Sequence, residues 1–187
     1  NNKPLMCNGA NLAFTKAAFS DAGGYNYGID QPGGDDSYLM FKINELFPNK
    51  VLFNEDPKSI VTTNPQPDLK HFVRQRVRWA SKVKYYKESY VKATGVLIFA
   101  VNLVLLLAVL LAAIGCLNWI IALAIWILKA TADLLFLFHL ATFTSQLRLL
   151  FVFLPAQILY PFYSLAGTLI AMKKTDYEWK NRNYKNQ

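Results

Sequence analysis

Cysteine is scarce in this chain: only Cys7 and Cys116 occur among its 187 residues. Cys7 belongs to the polar first half, whereas Cys116 lies between two apolar segments. A disulfide between them would have to join different compartments or depths, so we expect two free thiols. The chain shows no signal-peptide pattern and begins with Asn-Asn-Lys-Pro rather than Met. We therefore expect it to be a piece of a longer protein.

Several familiar site patterns are also missing from the sequence. The chain contains no G-x-G-x-x-G, no Walker A sequence and no G-x-S-x-G. Its two histidines, His71 and His139, stand alone without the spacing of metal ligands, so we assign no metal to them. The pair Gly23-Gly24 is expected to form a turn rather than a phosphate cradle.

Charge is concentrated in the first half, and the second half is dominated by Leu, Ile, Ala, Val and Phe. The formal net charge is +8, and eight Lys or Arg residues against one acid lie between Lys70 and Lys92. Because this basic run directly precedes an apolar span, we expect it at the cytoplasmic surface of a membrane, facing anionic headgroups. We expect no nucleic-acid partner, since no nucleic-acid-binding motif accompanies the basic residues.

The first 68 residues carry mixed helix and strand signals, so we predict an α/β fold there. Short β-like runs occur at Ala10–Phe14, Lys50–Asn54 and Ser59–Thr63. Helical patterns occur at Lys16–Ala22, stopped by a glycine pair, and at Asp35–Phe47, whose apolar residues have helical spacing.

Residues 69–93 are predicted to form one or two basic amphipathic helices. Apolar residues recur there at helical spacing, opposite a basic face. Such a helix can lie along the membrane or bind a protein partner, and its place beside an apolar span favours the membrane surface.

A transmembrane region is predicted at 94–172, with helices near 96–114, 117–138 and 149–172, followed by a basic polar tail at 173–187. Lys129 and Asp133 interrupt the second segment four residues apart and so share a helix face. They can neutralise each other or let Lys129 reach the interface. Alternatively, they line a polar path or fix helix packing, since charges inside a membrane are costly unless paired.

Two groups of residues are candidates for chemistry. Asp35 and Asp36 are adjacent carboxylates at a helix start, where they can hold a metal, act as a general base, or simply complement the helix dipole. The pentad Gln75-Arg76-Val77-Arg78-Trp79 (QxxRW) offers an Arg fork for phosphate and an indole face for a sugar. Its alternative role is to anchor an interfacial helix in the headgroup region.

The order of these features resembles the acceptor half and membrane tail of a family 2 glycosyltransferase, one of the processive-type inverting enzymes related to cellulose, chitin and hyaluronan synthases. The matching stretches are Gly9-Ala10-Asn11-Leu12-Ala13, Phe19 with Gly23-Gly24-Tyr25, Gly34-Asp35-Asp36, the pentad, and Trp179-Lys180-Asn181-Arg182 as a WKxR element. The resemblance covers nearly the whole chain and implies a GT-A-like α/β catalytic domain.

The resemblance also implies roles for individual residues. Asp36 would be the base that deprotonates the acceptor hydroxyl, with Asp35 beside it. Gln75, Arg78 and Trp79 would flank the donor diphosphate and the acceptor sugar.

Further expectations follow from the same resemblance. Gly9 and Asn11 would line the acceptor side. A divalent cation, Mg or Mn, is implied with its ligands upstream of residue 1, and the missing donor-binding half would leave this chain inactive alone. The expected activity is transfer of a sugar from a nucleotide-sugar donor to a lipid-linked or polysaccharide acceptor, on the cytoplasmic side of the inner or plasma membrane. The alternative is a non-catalytic, membrane-anchored interaction module built on the same scaffold.

Overall fold

The computed structural model describes residues 3–26, 34–83 and 86–172, together with the backbones of 177–179 and 182–184. Six α-helices are found there: α1 Lys16–Asp21, α2 Asp35–Leu46, α3 Leu69–Lys82, α4 Ser89–Ala113, α5 Trp119–Phe143 and α6 Phe153–Met172. Short 3-10 turns occupy Gly9–Asn11, Gly24–Asn26, Pro57–Ser59 and Leu147–Val152. After α6, β1 (Tyr177–Trp179) pairs antiparallel with β2 (Arg182–Tyr184).

The prediction of an α/β domain is wrong. No strand occurs in the described residues up to 172, and the three β-like runs contain 3-10 turns or extended chain without a sheet partner. A β-like run becomes a strand only when a second strand supplies ladder hydrogen bonds and a face to bury. Here Leu52 is 77% exposed and Phe53 is 75% exposed, so these two side chains bury no face against a second strand, whereas Val51 packs against a cluster of buried residues. The described structure is helical, with one hairpin beyond the last helix.

Helices α1 and α2 begin at the signals that the sequence provides. The Thr15 hydroxyl accepts a hydrogen bond from the Ala18 amide at 3.1 Å and caps α1. Gly34 precedes α2 with φ +92°, a left-handed conformation that favours glycine. Asp35 and Asp36 then fill the first turn, where carboxylates complement the partial positive charge of the helix start.

One core cluster joins α2 to the start of α4. Tyr38, Met40 and Phe41 of α2 pack with Tyr86 and Val91, and all five are buried. The Tyr86 ring lies 5.5 Å from the Tyr38 ring and 4.9 Å from the Phe41 ring, both edge-to-face. Burial of each such side chain stabilises the fold by about 1.5–3 kcal/mol. The polar half is thereby fixed to the first apolar helix.

Helix α3 ends at Lys82, earlier than the predicted region. The Asp68 carboxylate caps its start and accepts a hydrogen bond from the His71 amide at 2.8 Å. Hydrogen bonds from His71, first from the backbone amide and then from the ring, lower the pKa of Asp68. Helix α3 packs along α6, and the Phe72 and Tyr163 rings lie 5.8 Å apart.

Three helical segments are long and apolar enough to cross a membrane: Ser89–Ala113, Trp119–Phe143 and Leu147–Met172. They support the prediction of transmembrane helices by their length and composition, and each begins or ends at residues other than those predicted. At one contact between α4 and α5, the small residues Ala108, Ala112 and Ala122 form a buried cluster, which lets the two backbones approach closely. The tail 173–187, including Lys180 and Asn181 of the WKxR element, lies outside the described residues except for the two strand backbones.

Lys129 and Asp133 form an ion pair of 2.6 Å within α5. Gln157 of α6 joins them: its amide oxygen accepts a hydrogen bond from Lys129 at 2.7 Å, and its amide nitrogen donates to Asp133 at 2.8 Å. The Lys129 side chain is only 9% exposed and Gln157 is 4% exposed. These contacts favour charge neutralisation together with fixed packing of α5 on α6, since Lys129 does not extend to solvent.

Candidate functional site

Asp36 is held by two backbone hydrogen bonds. The Gly9 amide donates to Asp36 Oδ2 at 2.9 Å, and the Ser37 amide donates to Asp36 Oδ1 at 2.8 Å. Asp36 is half-buried, whereas Asp35 is exposed. Each oxygen of an ionised carboxylate has two lone pairs, so each oxygen of Asp36 can accept one more proton donor. The two acids therefore differ: one is oriented by the fold, and the other faces solvent.

Gly9 and Asn11, predicted to line the acceptor side, lie in the 3-10 turn that approaches α2. A Cβ built on Gly9 would lie 3.5 Å from Asp36 Oδ2, which is an ordinary contact, so the site has room for a side chain at position 9. The contribution of Gly9 to the site is therefore its backbone amide, which donates to Asp36. The Asn11 side chain donates to the Ser59 carbonyl at 2.9 Å. That bond joins two loops that are 48 residues apart in sequence.

The QxxRW pentad lies within α3, and its Arg76 is packed between two aromatic rings. The Arg76 guanidinium lies 5.1 Å from the Phe72 ring and 4.8 Å from the Trp79 ring. Such contacts contribute about 0.5–1 kcal/mol each at exposed sites. Gln75, Arg78 and Trp79 are half-buried, and Arg76 is exposed. Arg76 thus contacts the apolar stripe that faces α6, and Arg78 lies on a different face of the helix.

Lys82 brings α3 to the acid pair, and the sequence reasoning missed it. A Cβ built on Gly34 would lie 3.1 Å from Lys82 Cδ and 3.3 Å from Lys82 Nζ. The Lys82 side chain therefore crosses the start of α2, directly before Asp35. Its spacing of four residues from Arg78 places the two cations on one helix face. That spacing was the only signal that could have identified it.

Burial and neighbouring charges both act on Lys82. Burial lowers the pKa of its ammonium most, and the positive charge of Arg78 lowers it further. Asp36 and Asp35 act in the opposite direction. Lys82 therefore interacts electrostatically with Arg78 on its own helix and with both acids at the start of α2.

Cys7, Ser37 and Tyr86 lie beside Asp36 on the buried side of the site. The Cys7 sulfur is 3.9 Å from the Ser37 hydroxyl oxygen. Burial, followed by the negative charge of Asp36, raises the pKa of the Cys7 thiol to about 11. Burial also raises the pKa of Tyr86. Both groups are therefore neutral at pH 7 and bring no second negative charge to the buried side of Asp36.

The described residues gather no metal-binding group at the acid pair. Among residues 3–26, 34–83 and 86–172, no group of three or more His, Cys, Asp or Glu side chains is placed to hold a metal. Both oxygens of Asp36 already accept backbone hydrogen bonds, and the Lys82 ammonium lies beside the pair. The Mg or Mn ligands expected upstream of residue 1 stay a prediction.

Comparisons with protein-family models, with curated proteins and with solved structures found no match to this chain. The glycosyltransferase resemblance therefore stays a prediction carried by the motifs. The three candidate spans support an integral membrane protein. The cytoplasmic position of the polar half also stays a prediction.

Proposed function

We propose that this chain activates the acceptor in an inverting glycosyl transfer at a membrane, from a nucleotide-sugar donor to a lipid-linked or polysaccharide acceptor. One observation carries the proposal: Lys82, one turn after Arg78, contacts Gly34 immediately before Asp35 and Asp36. The fold therefore brings the QxxRW helix and the acid pair together, although 38 residues lie between Asp36 and Gln75 in the sequence. Such a transfer needs a base near the attacking hydroxyl and a positive charge near the leaving diphosphate.

Asp36 is the proposed base. Its carboxylate, oriented by the Gly9 and Ser37 amides, accepts the proton of the acceptor hydroxyl. The hydroxyl oxygen then forms a bond to the anomeric carbon on the face opposite the leaving group. The bond from that carbon to the diphosphate oxygen breaks, and the electron pair leaves with the diphosphate. A single displacement of this kind inverts the anomeric configuration.

Arg78 and Trp79 are the proposed contacts for the substrates. A guanidinium can donate two parallel hydrogen bonds to a phosphate, which stabilises the negative charge that grows on the leaving diphosphate. A sugar ring would stack on the Trp79 indole. The Arg76 guanidinium, 4.8 Å from the Trp79 ring, covers part of that ring, so the sugar would take the opposite face.

The membrane helices give the proposed reaction its location. Phe72 of α3 contacts Tyr163 of α6, so the helix that carries the pentad is attached to the last candidate span. The basic residues of α3 are proposed to face anionic headgroups of the cytoplasmic leaflet. A lipid-linked acceptor would then reach Asp36 from the bilayer surface.

The test is Asp36→Asn in the full-length protein, prepared in native membranes. Nucleoside diphosphate release is measured with a panel of UDP- and GDP-linked hexoses. Loss of a general base lowers the rate by roughly 10²–10⁴-fold. Glu45→Gln is the matched control: the Glu45 side chain is 62% exposed and pairs with Lys42 on the surface of α2, so transfer should be unchanged. Carbonate extraction checks that both variants remain membrane-inserted. Transfer by Asp36→Asn at near-normal rates, or no release with any donor by the wild type, would refute the proposal.

A further inference from the structure

The Lys82 side chain lies against Gly34, where the lack of a side chain leaves room for it. At Gly34 a side chain would press against Lys82 Cδ and Nζ, at 3.1 and 3.3 Å. The φ of +92° at Gly34 independently favours glycine. Two separate constraints thus preserve the path along which Lys82 reaches the start of α2.

Lys82 is close to the carboxylates of Asp35 and Asp36, and it forms an ion pair with no acid in the part of the chain that the structure describes. It takes part in none of the ion pairs found among the described residues, which join Lys42 to Glu45, His71 to Asp68 and Lys129 to Asp133. It is nevertheless half-buried. A half-buried ammonium without a hydrogen-bonded counter-ion is unfavourable, because its positive charge is incompletely compensated. An anionic ligand bound beside Lys82 would compensate that charge, and this would favour binding of the ligand.

Arg78 supplies a second cation on the same face of α3. Side chains four residues apart on a helix have Cβ atoms about 5–6 Å apart, close enough for both to contact one small anion. Lysine acts as a point charge toward phosphate, whereas arginine provides a directed fork. Together they would satisfy several oxygens of one phosphate or diphosphate.

We propose that Lys82 binds, together with Arg78, a phosphate group of a substrate and positions it beside Asp36. This inference rests on the proposed function and deepens it, since it names the residue that holds the substrate anion next to the base. The phosphate belongs either to the diphosphate of a nucleotide-sugar or to the phosphate of a lipid carrier. Both sources share the anionic oxygens that Lys82 recognises.

The first experiment measures binding of inorganic pyrophosphate to the purified full-length protein in detergent, by calorimetry at fixed ionic strength. Lys82→Met removes the charge and keeps the methylene stem, so its packing near Gly34 is preserved. We expect binding to weaken roughly tenfold or more, the effect of losing one charge-assisted hydrogen bond. Lys82→Arg should restore most of the affinity. Lys70→Met, at an exposed position in the first turn of α3, is the matched control and should bind as the wild type does.

A second measurement uses the wild type, so it does not depend on the folding of a variant. Acetic anhydride labels accessible amines, and mass spectrometry locates the label. Pyrophosphate should protect Lys82 and leave the labelling of Lys70 unchanged. Equal labelling of Lys82 with and without pyrophosphate, or unchanged affinity in Lys82→Met, would overturn the inference.

Two competitors then identify the source of the phosphate. Displacement of pyrophosphate by UDP or GDP assigns the site to the donor, and displacement by a polyprenyl phosphate in mixed micelles assigns it to the acceptor. If neither the nucleoside diphosphates nor the polyprenyl phosphate displaces pyrophosphate, a role of the site in substrate binding is contradicted. Asp36→Asn removes a negative charge from the site and should bind pyrophosphate at least as tightly as the wild type. Pyrophosphate binding therefore tests Lys82 separately from the transfer assay that tests Asp36.

Discussion

Removing one member of the pair Lys129–Asp133 should destabilise the helical bundle more than removing both. The pair is 2.6 Å long and is completed by Gln157 at 2.7 and 2.8 Å, so all three polar groups have partners. Asp133→Leu leaves Lys129, whose side chain is 9% exposed, with the Gln157 amide and the face of Tyr160 at 5.2 Å as its partners among the described residues. An orphaned charge inside an apolar bundle is the unfavourable species, because it has lost its counter-ion but not its burial.

The expected magnitudes follow from the burial of each partner. Asp133→Leu should cost about 3 kcal/mol, near the lower end of the range for breaking a buried pair, because two contacts to Lys129 remain. Lys129→Met should cost a similar amount, about 3 kcal/mol, because it leaves the Asp133 carboxylate unpaired near the middle of a candidate span, where its 37% exposed surface would face lipid rather than water. The double variant should cost about 0–1 kcal/mol, since an apolar pair of similar size is tolerated there. Gln157→Leu removes two hydrogen bonds and should cost roughly 1–3 kcal/mol.

The assay is a double-mutant cycle on the free energy of unfolding, measured by reversible titration of mixed micelles with denaturing detergent. The exposed pair Lys42–Glu45 of α2, at 3.1 Å, gives a matched control cycle. Its coupling energy should stay below about 0.5 kcal/mol because solvent screens it. Additive costs in the Lys129–Asp133 cycle would show that the pair is not buried in the bundle, and the reasoning from burial would then be refuted.

Three further predictions concern the site and the topology. Gly34→Ala should lower the free energy of unfolding by roughly 1–3 kcal/mol, because alanine is strained at the φ of +92°. It should also increase acetylation of Lys82, because the new Cβ would displace the Lys82 side chain. An unchanged unfolding midpoint would contradict this prediction. Cys7 should resist maleimide at pH 7 and react progressively faster up to about pH 11, since its raised pKa keeps the thiolate scarce below that value. The exposed Cys116, in the turn between two spans, should react with an impermeant maleimide added to intact cells, on the side opposite α3. Labelling of Cys116 only after lysis would contradict a full crossing by α4.

The helices could be predicted from the sequence because their signals are local. Apolar periodicity and a glycine pair after α1 identified α1, α2 and α3, and long, predominantly apolar stretches identified the three candidate spans. The strands could not be predicted in the same way, since a β-like run requires a partner that the run does not specify. Residues 50–54 have a suitable composition but contact no second strand in the described structure.

The site was predictable in its residue types and not in its contacts. The order of the motifs singled out Asp36 and the pentad, but nothing local indicates that Lys82 meets Gly34, because that contact depends on how α3 approaches α2. Gln157 was missed for a similar reason, since it is 24 residues from Asp133 and belongs to another helix. A contact between two helices depends on how those helices pack. The periodicity of apolar residues in the sequence indicates only the helix face on which a residue lies.

The position of α3 is fixed at both of its ends, and this determines what the pentad can do. At its C-terminal end, Lys82 contacts the start of α2 beside the acid pair. At its N-terminal end, Phe72 contacts Tyr163, which lies 6.0 Å from Tyr160, and Lys129 in turn lies 5.2 Å from the Tyr160 ring. A shift of α6 in the membrane would therefore move α3 relative to Asp36, since the ring contacts connect the two helices directly. Because Arg78 lies between these two attachments, its distance from the proposed base depends on the packing of the membrane helices as well as on the polar half.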